Sequence, residues 1–175
     1  MALVVLLRGV NVGGHKTFRP SALAKELKHL GVVNIGAAGT FVVRKSVTQA
    51  RVRAEFARRL PFDADIVLCE GRTFLAMEAD NPLARESRRP DIVHLLSVLT
   101  KRPRLSPPTP IHFPSDGQWL LRIVARDDRF VFGMYRRHMK TIGYLGKLDQ
   151  VFGVLATTRN WNTVTAIARV LAGPE

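Results

Sequence analysis

The sequence predicts an α+β protein: a ferredoxin-like N-terminal lobe over residues 1–80, packed against a second α+β lobe over residues 81–175. Three observations predict it. Strand and helix patterns follow the order β-α-β-β-α-β between Leu3 and Glu70, the split βαβ arrangement. A proline-rich stretch, KRPRLSPPTPIHFP (101–114), separates a long apolar strand pattern from a hairpin pattern. An amphipathic helix pattern, WNTVTAIARVLAG, closes the chain.

The elements follow in order. LVVLL (3–7) is a continuous apolar run of strand length. A glycine-rich loop, RGVNVGGHKTFR, leads to a helix from Pro20 whose stripe is Leu23, Leu27 and Leu30, ended by Gly31. VVNIG and TFVVR pair as a hairpin around Gly36–Gly39. Ser46 and Gln49 have capping-box spacing ahead of a helix that Pro61 stops near Leu60, and ADIVLCE (64–70) is a fourth strand. TFLAME (73–78) is a short helix, and DIVHLLSVL (91–99) is a strand. The five prolines of residues 101–114 exclude a central strand or a helix there and predict a surface run, partly polyproline II. QWLLRIVA and FVFGMY flank RDDR as a hairpin. Residues 138–153 mix helical spacing with Gly143 and Gly146, which predicts a broken helix. In the last helix Trp161, Val164, Ala168 and Leu171 share a face.

The net charge of +13 is unevenly placed. Residues 1–60 hold eleven Lys or Arg against Glu26 and Glu55. Residues 61–128 hold nine against ten carboxylates, and residues 129–175 hold seven against Asp149 and Glu175. Basic ends around a neutral middle point to a polyanion or phosphate partner. Arg outnumbers Lys twenty to seven, so compositional drift is the competing explanation. No apolar run approaches the ~18 residues of a membrane span, so no membrane partner is expected and a cytoplasmic location is. The single cysteine, Cys69, excludes an internal disulfide and sits in an apolar strand pattern.

Two segments stand out. RGVNVGGHKT (8–17) has the glycine separation of a phosphate-binding loop, but His15 intrudes before Lys16-Thr17, and Phe18-Arg19-Pro20 delays the helix. A nucleoside triphosphatase is therefore rejected. Gly9, Gly13 and Gly14 can still expose backbone N–H groups to an anion, with Arg8 and Lys16 adding charge and Asn11 orienting it. The competing reading is a tight turn that needs left-handed backbone. The second segment is ATTRNWNTV (156–164). Thr158 or Asn160 serves as a helix N-cap and Trp161 packs on the core. Thr157, Arg159 and Asn162 remain for an anion at the helix N-terminus.

These two segments, with Asn81-Pro82-Leu83, resemble the signatures of the bacterial domain-of-unknown-function family 1697, and the resemblance runs essentially end to end. Arg8, Gly9, Asn11, Gly13 and Gly14 match the first signature, and Thr157 through Thr163 match the second. The resemblance implies the fold, a cytosolic bacterial setting and the importance of both segments. It brings no established activity. The chain departs from the family pattern at IGAAGTFVV (35–43), where only Gly39 of a Gln-Ser-Gly-Asn run is kept. It departs again at MKTIGYLGKLD, where Lys140 is matched to the family's lysine.

Other chemistry is set aside on the residues. The five histidines lack metal-ligand spacing, so neither a metal nor another cofactor is expected. His94 reads as a core histidine, and no nucleophile motif or assignable catalytic residue is present. Strand 3–7 has no aromatic for base stacking. The expectation is a phosphate-bearing ligand, nucleic acid or nucleotide, held in a cleft between the lobes by Arg8, Lys16, Arg159, Asn11, Asn160 and Asn162. Two alternatives stay open: an enzyme acting on a small anionic metabolite, and a structural or interaction module. Oligomeric state is not legible.

Overall fold

The computed structural model describes residues 1–174; Glu175, the last residue of the expected second lobe, lies outside the described residues. Contacts divide the chain into two compact units. One comprises Met1–Ala79 with the residues from Thr165 onward, the other Asp80–Val164.

In the first unit the order is β1 (Leu3–Arg8), α1 (Pro20–Glu26), β2 (Val32–Ile35), β3 (Thr40–Val43), α2 (Gln49–Arg59), β4 (Asp65–Glu70) and α3 (Gly71–Asp80). The sheet runs β2-β3-β1-β4 with every pair antiparallel. β1 is central, with Leu3 facing Val43 on one side and Glu70 on the other. That position explains its unbroken apolar run, since alternate residues on both of its faces are buried. Leu3, Val5 and Leu7 pack with Phe41, Val43 and Leu68 against Leu23 and Leu27 of the first helical segment and Val52 and Phe56 of α2. Phe41 and Phe56 meet edge-on at 5.2 Å. Each such aromatic or leucine burial contributes about 1.5–3 kcal/mol.

Local signals behave mostly as expected. Pro20 opens α1, a 3-10 turn over Lys28–Leu30 follows, and Gly31 closes it in left-handed backbone at φ 67°. One cap differs. Thr48, not Ser46, caps α2, its side chain accepting from the Arg51 backbone N–H. Thr48 stands directly before the first helical residue, where its Oγ reaches that N–H.

The second unit carries β5 (Ile92–Leu99), β6 (Ile111–Phe113), β7 (Leu121–Asp127), β8 (Phe130–Arg136), α4 (Thr141–Gly146), α5 (Leu148–Phe152) and β9 (Ala156–Asn160). Its sheet is antiparallel in the order β6-β7-β8-β5-β9. Leu95, Leu99, Leu121, Ile123 and Val131 pack with Leu148 and Phe152 of α5. Two strands were not expected. β6 lies inside the proline-rich run, at a sheet edge, where a missing N–H costs no ladder bond. β9 is the other edge strand, formed by the residues expected to begin the last helix.

The last helix, α6, spans Trp161–Ala172, with Val164, Ile167 and Ala168 buried. The sequence reading assigns it wholly to the second lobe. Its residues from Thr165 onward belong instead with the first unit. There the Val170 carbonyl accepts from the Arg44 guanidinium, 3.2 Å, and a Cβ added at Gly71 would stand 2.9 Å from Leu171. No helix among the described residues is long and apolar enough to cross a membrane.

Candidate functional site

The glycine-rich loop leaves β1 and turns on left-handed residues. Gly9 and Gly14 have φ of 70° and 76°, and Asn11 and Lys16 have 54° and 48°. A Cβ on Gly9 or Gly14 would meet nothing within 4 Å. Glycine is favoured there by backbone conformation and not by close approach of another group. The Asn11 side chain closes the loop. Its Oδ1 accepts from the Phe18 N–H and its Nδ2 donates to the Ala37 carbonyl, both at 2.9 Å. Lys16 Nζ donates to the Asp63 carbonyl at 2.9 Å, and Arg8 pairs with Asp65 at 3.7 Å. Gly39 fits from the other side. At φ 78° its Cβ would lie 2.7 Å from Val10 and 2.9 Å from Leu7, whose N–H donates to the Gly39 carbonyl. That contact explains a glycine at this position.

In the second unit, Thr157, Thr158, Arg159 and Asn160 lie on β9, paired to β5 with Ser97 opposite Thr158. Their hydroxyls hydrogen-bond at 2.6 Å. Arg159 NH1 donates to Thr157 Oγ1 at 3.1 Å and to the Thr158 carbonyl at 2.9 Å. Burial pushes the Arg159 guanidinium down to about 10, which leaves it charged at neutral pH. Asn160 Oδ1 accepts from the Thr163 N–H at 3.0 Å and from its hydroxyl at 3.1 Å. Asn160 is thus the N-cap of α6, as its residue type predicts.

A cavity of about 390 Å³ opens beside this junction. Three pieces of chain line it: Arg88–Pro90 before β5, the facing ends of β5 and β8 with Val93, His94 and Tyr135 followed by Arg137 just beyond β8, and Asn160–Asn162. Among the described residues, the side chains of Arg88, Arg137 and Asn162 and the Tyr135 hydroxyl have no hydrogen-bond or ion-pair partner. Arg89 is held differently. Asp91 Oδ1 pairs with its Nε at 3.0 Å, while Oδ2 pairs with Arg136 at 3.3 Å. The Asp91 carbonyl also accepts from the Arg137 N–H at 3.1 Å. Burial works to raise the Asp91 carboxyl, but the hydrogen bond from Arg89, with the charges of Arg89 and Arg136, brings it below its ordinary value. Arg136 lies 4.2 Å over the Trp119 ring. His94 Nε2 is 3.0 Å from the Ser87 carbonyl oxygen, which ties the arginine-bearing segment to β5.

The structure therefore places Asn160 and Asn162 at this cavity, while Thr157, Thr158 and Arg159 lie on β9 outside its lining. Arg8, Gly9, Asn11, Gly13, Gly14 and Lys16 lie in the first unit. Lys140 is exposed where α4 begins, also outside the lining. Sequence reasoning missed Arg88, Arg89, Tyr135 and Arg137. The paired arginines of SRRPD and YRR were the available signal, but nothing in their spacing says that they converge. His94, read as a core histidine, is satisfied by Ser87 yet also lines the cavity. Among the described residues no group of three or more His, Cys, Asp or Glu could hold a metal ion.

The architecture has a counterpart of known structure. A conserved bacterial protein from Streptococcus pneumoniae is 18% identical with a TM-score of 0.61, the alignment covering 97% of this chain and 98% of that one. At that identity the likeness concerns the α+β fold alone. No curated protein matches the chain. The model of a family described as "Protein of unknown function (DUF1697)" matches residues 1–109, a span that includes the glycine-rich loop and Arg88–His94. The chain belongs to this DUF1697 family.

Proposed function

We propose that the protein binds a phosphate-bearing small molecule, a nucleotide first, in the cavity beside Asn160–Asn162. The observation that carries this is the set of side chains that line the cavity without a partner among the described residues: Arg88, Arg137, Asn162 and Tyr135. They are donor-rich, and two are guanidiniums, whose fork matches phosphate oxygens. Arg88, Arg137 and Asn162 are exposed, so a ligand that supplies acceptors can reach them directly from solvent. Trp161 and Tyr135 add aromatic surface suited to a planar base. A volume of about 390 Å³ lies in the range of small-molecule sites.

A purely structural role for the second signature would leave its asparagines buried against one another. Asn160 is engaged as the cap of α6, but Asn162 is exposed at the cavity with no side-chain partner among the described residues, and that open amide favours the ligand reading.

Isothermal titration calorimetry with a nucleoside monophosphate, a nucleoside diphosphate and inorganic phosphate tests the proposal. Wild-type protein should show saturable binding, strongest for a nucleotide. The double variant Arg88→Ala/Arg137→Ala should bind at least tenfold more weakly, on the order of 1.4 kcal/mol or more, with an unchanged thermal midpoint. Absence of saturable binding, or equal affinity in the double variant, would sink it.

A further inference from the structure

The chain leaving the cavity has an unusual surface. From Arg137 the backbone passes through His138, Met139 and Lys140 into α4, where Thr141 anchors it by donating to the Arg136 carbonyl at 2.7 Å. Everything between Arg137 and Lys140 is exposed, as are Ile142, Gly143, Gly146 and Lys147. Met139 is 88% exposed and Ile142 is 78% exposed, the two most exposed of the chain's large apolar side chains. No carboxylate occurs between Arg129 and Leu148. A Cβ at Gly143 or Gly146 would meet nothing within 4 Å, so the outer side of α4 is open. The result is a ledge with cations at Arg137, Lys140 and Lys147 and two aliphatic side chains between them. Arg137 belongs to both the ledge and the cavity lining.

We propose that this ledge extends the cavity into a track for single-stranded nucleic acid, whose terminal nucleotide occupies the cavity. The proposal rests on the nucleotide reading above and adds its partner. Charge complementarity selects a polyanion, since ledge and chain are both basic. A second copy of this chain would bring like charge against like. Continuity through Arg137 places successive phosphates along the ledge while the end group enters the cavity. Met139 and Ile142 are residue types that wedge against unstacked bases. A cavity this small admits one splayed-out nucleotide and excludes a duplex end.

The test is fluorescence anisotropy with a terminally phosphorylated single-stranded oligonucleotide across a salt series, beside calorimetry with a nucleoside monophosphate. Lys140→Glu/Lys147→Glu should weaken oligonucleotide binding at least tenfold. It should also flatten the log–log salt slope by about 0.7 for each lost phosphate contact. Monophosphate affinity should stay within about twofold. Oligonucleotide binding unchanged by the double variant overturns the track and leaves the cavity reading intact. Track-dependent oligonucleotide binding without any monophosphate binding keeps the ledge and sinks the cavity reading. Binding of anionic phospholipid vesicles through Met139 and Ile142, with no oligonucleotide binding, makes the ledge a membrane contact and overturns the proposal.

Discussion

The glycine-rich loop of the first unit and the cavity of the second are both polar and rich in Arg and Asn, yet they direct those side chains in opposite ways. In the loop, Asn11 bonds to Phe18 and Ala37, Lys16 to Asp63 and Arg8 to Asp65. The loop's own folding employs what looked like ligand chemistry. In the cavity, the side chains of Arg88, Arg137 and Asn162 have no hydrogen-bond or ion-pair partner among the described residues. The difference teaches that residue type and motif alone do not separate side chains already engaged within the fold from those still open to a ligand.

If the loop is structural, its variants should alter stability and not ligand affinity. The largest effect is expected for Gly39→Val. A branched side chain at φ 78°, with its Cβ 2.7 Å from Val10, combines left-handed strain with overpacking, together about 3 kcal/mol. Urea denaturation should show the loss, and a wild-type midpoint would show that the packing yields. Asn11→Ala comes next. Two hydrogen bonds disappear and alanine must hold φ 54°, for about 2 kcal/mol in the same assay. Nucleotide affinity of the folded fraction should be unchanged in both variants; a tenfold loss in Asn11→Ala would return the loop to the ligand site.

The smallest effect is expected at Asp91. Its folded carboxyl titrates below its ordinary value near 3.8, so its contribution to stability is present above that pH. That contribution is lost as pH falls through the lower folded value. Asp91→Asn should therefore lower the urea midpoint slightly at pH 7, leave it unchanged at the acid end, and so flatten the acid limb of the profile below about pH 4. Steepening of that limb would contradict the assignment.

The fold was legible where pattern and burial coincide. β1 reads as a strand because both of its faces are covered, and the helix ending at Gly31 reads from its leucine spacing. β9 did not, because Thr-Thr-Arg-Asn offers no apolar alternation and its pairing to β5 is set by a partner some sixty residues earlier, Ser97 against Thr158. β6 was hidden by flanking prolines that an edge strand tolerates. Of the candidates that the helix start suggested, Asn160 and Asn162 line the cavity, whereas Arg88 and Arg137 sit in stretches whose convergence only the sheet creates.

The membership of α6 bears on synthesis. The first unit is discontinuous: Met1–Ala79 is joined by residues from Thr165 onward, with the whole second unit translated between them. Domains usually fold as they emerge, N-terminal first, at about 5–20 residues per second. Here the ferredoxin-like sheet leaves the ribosome early but must wait through Asp80–Val164 for the segment that completes its unit. During that interval Gly71 lacks its neighbour Leu171 and the Arg44 guanidinium lacks the Val170 carbonyl, so the first unit reaches its full set of contacts only at the end of synthesis.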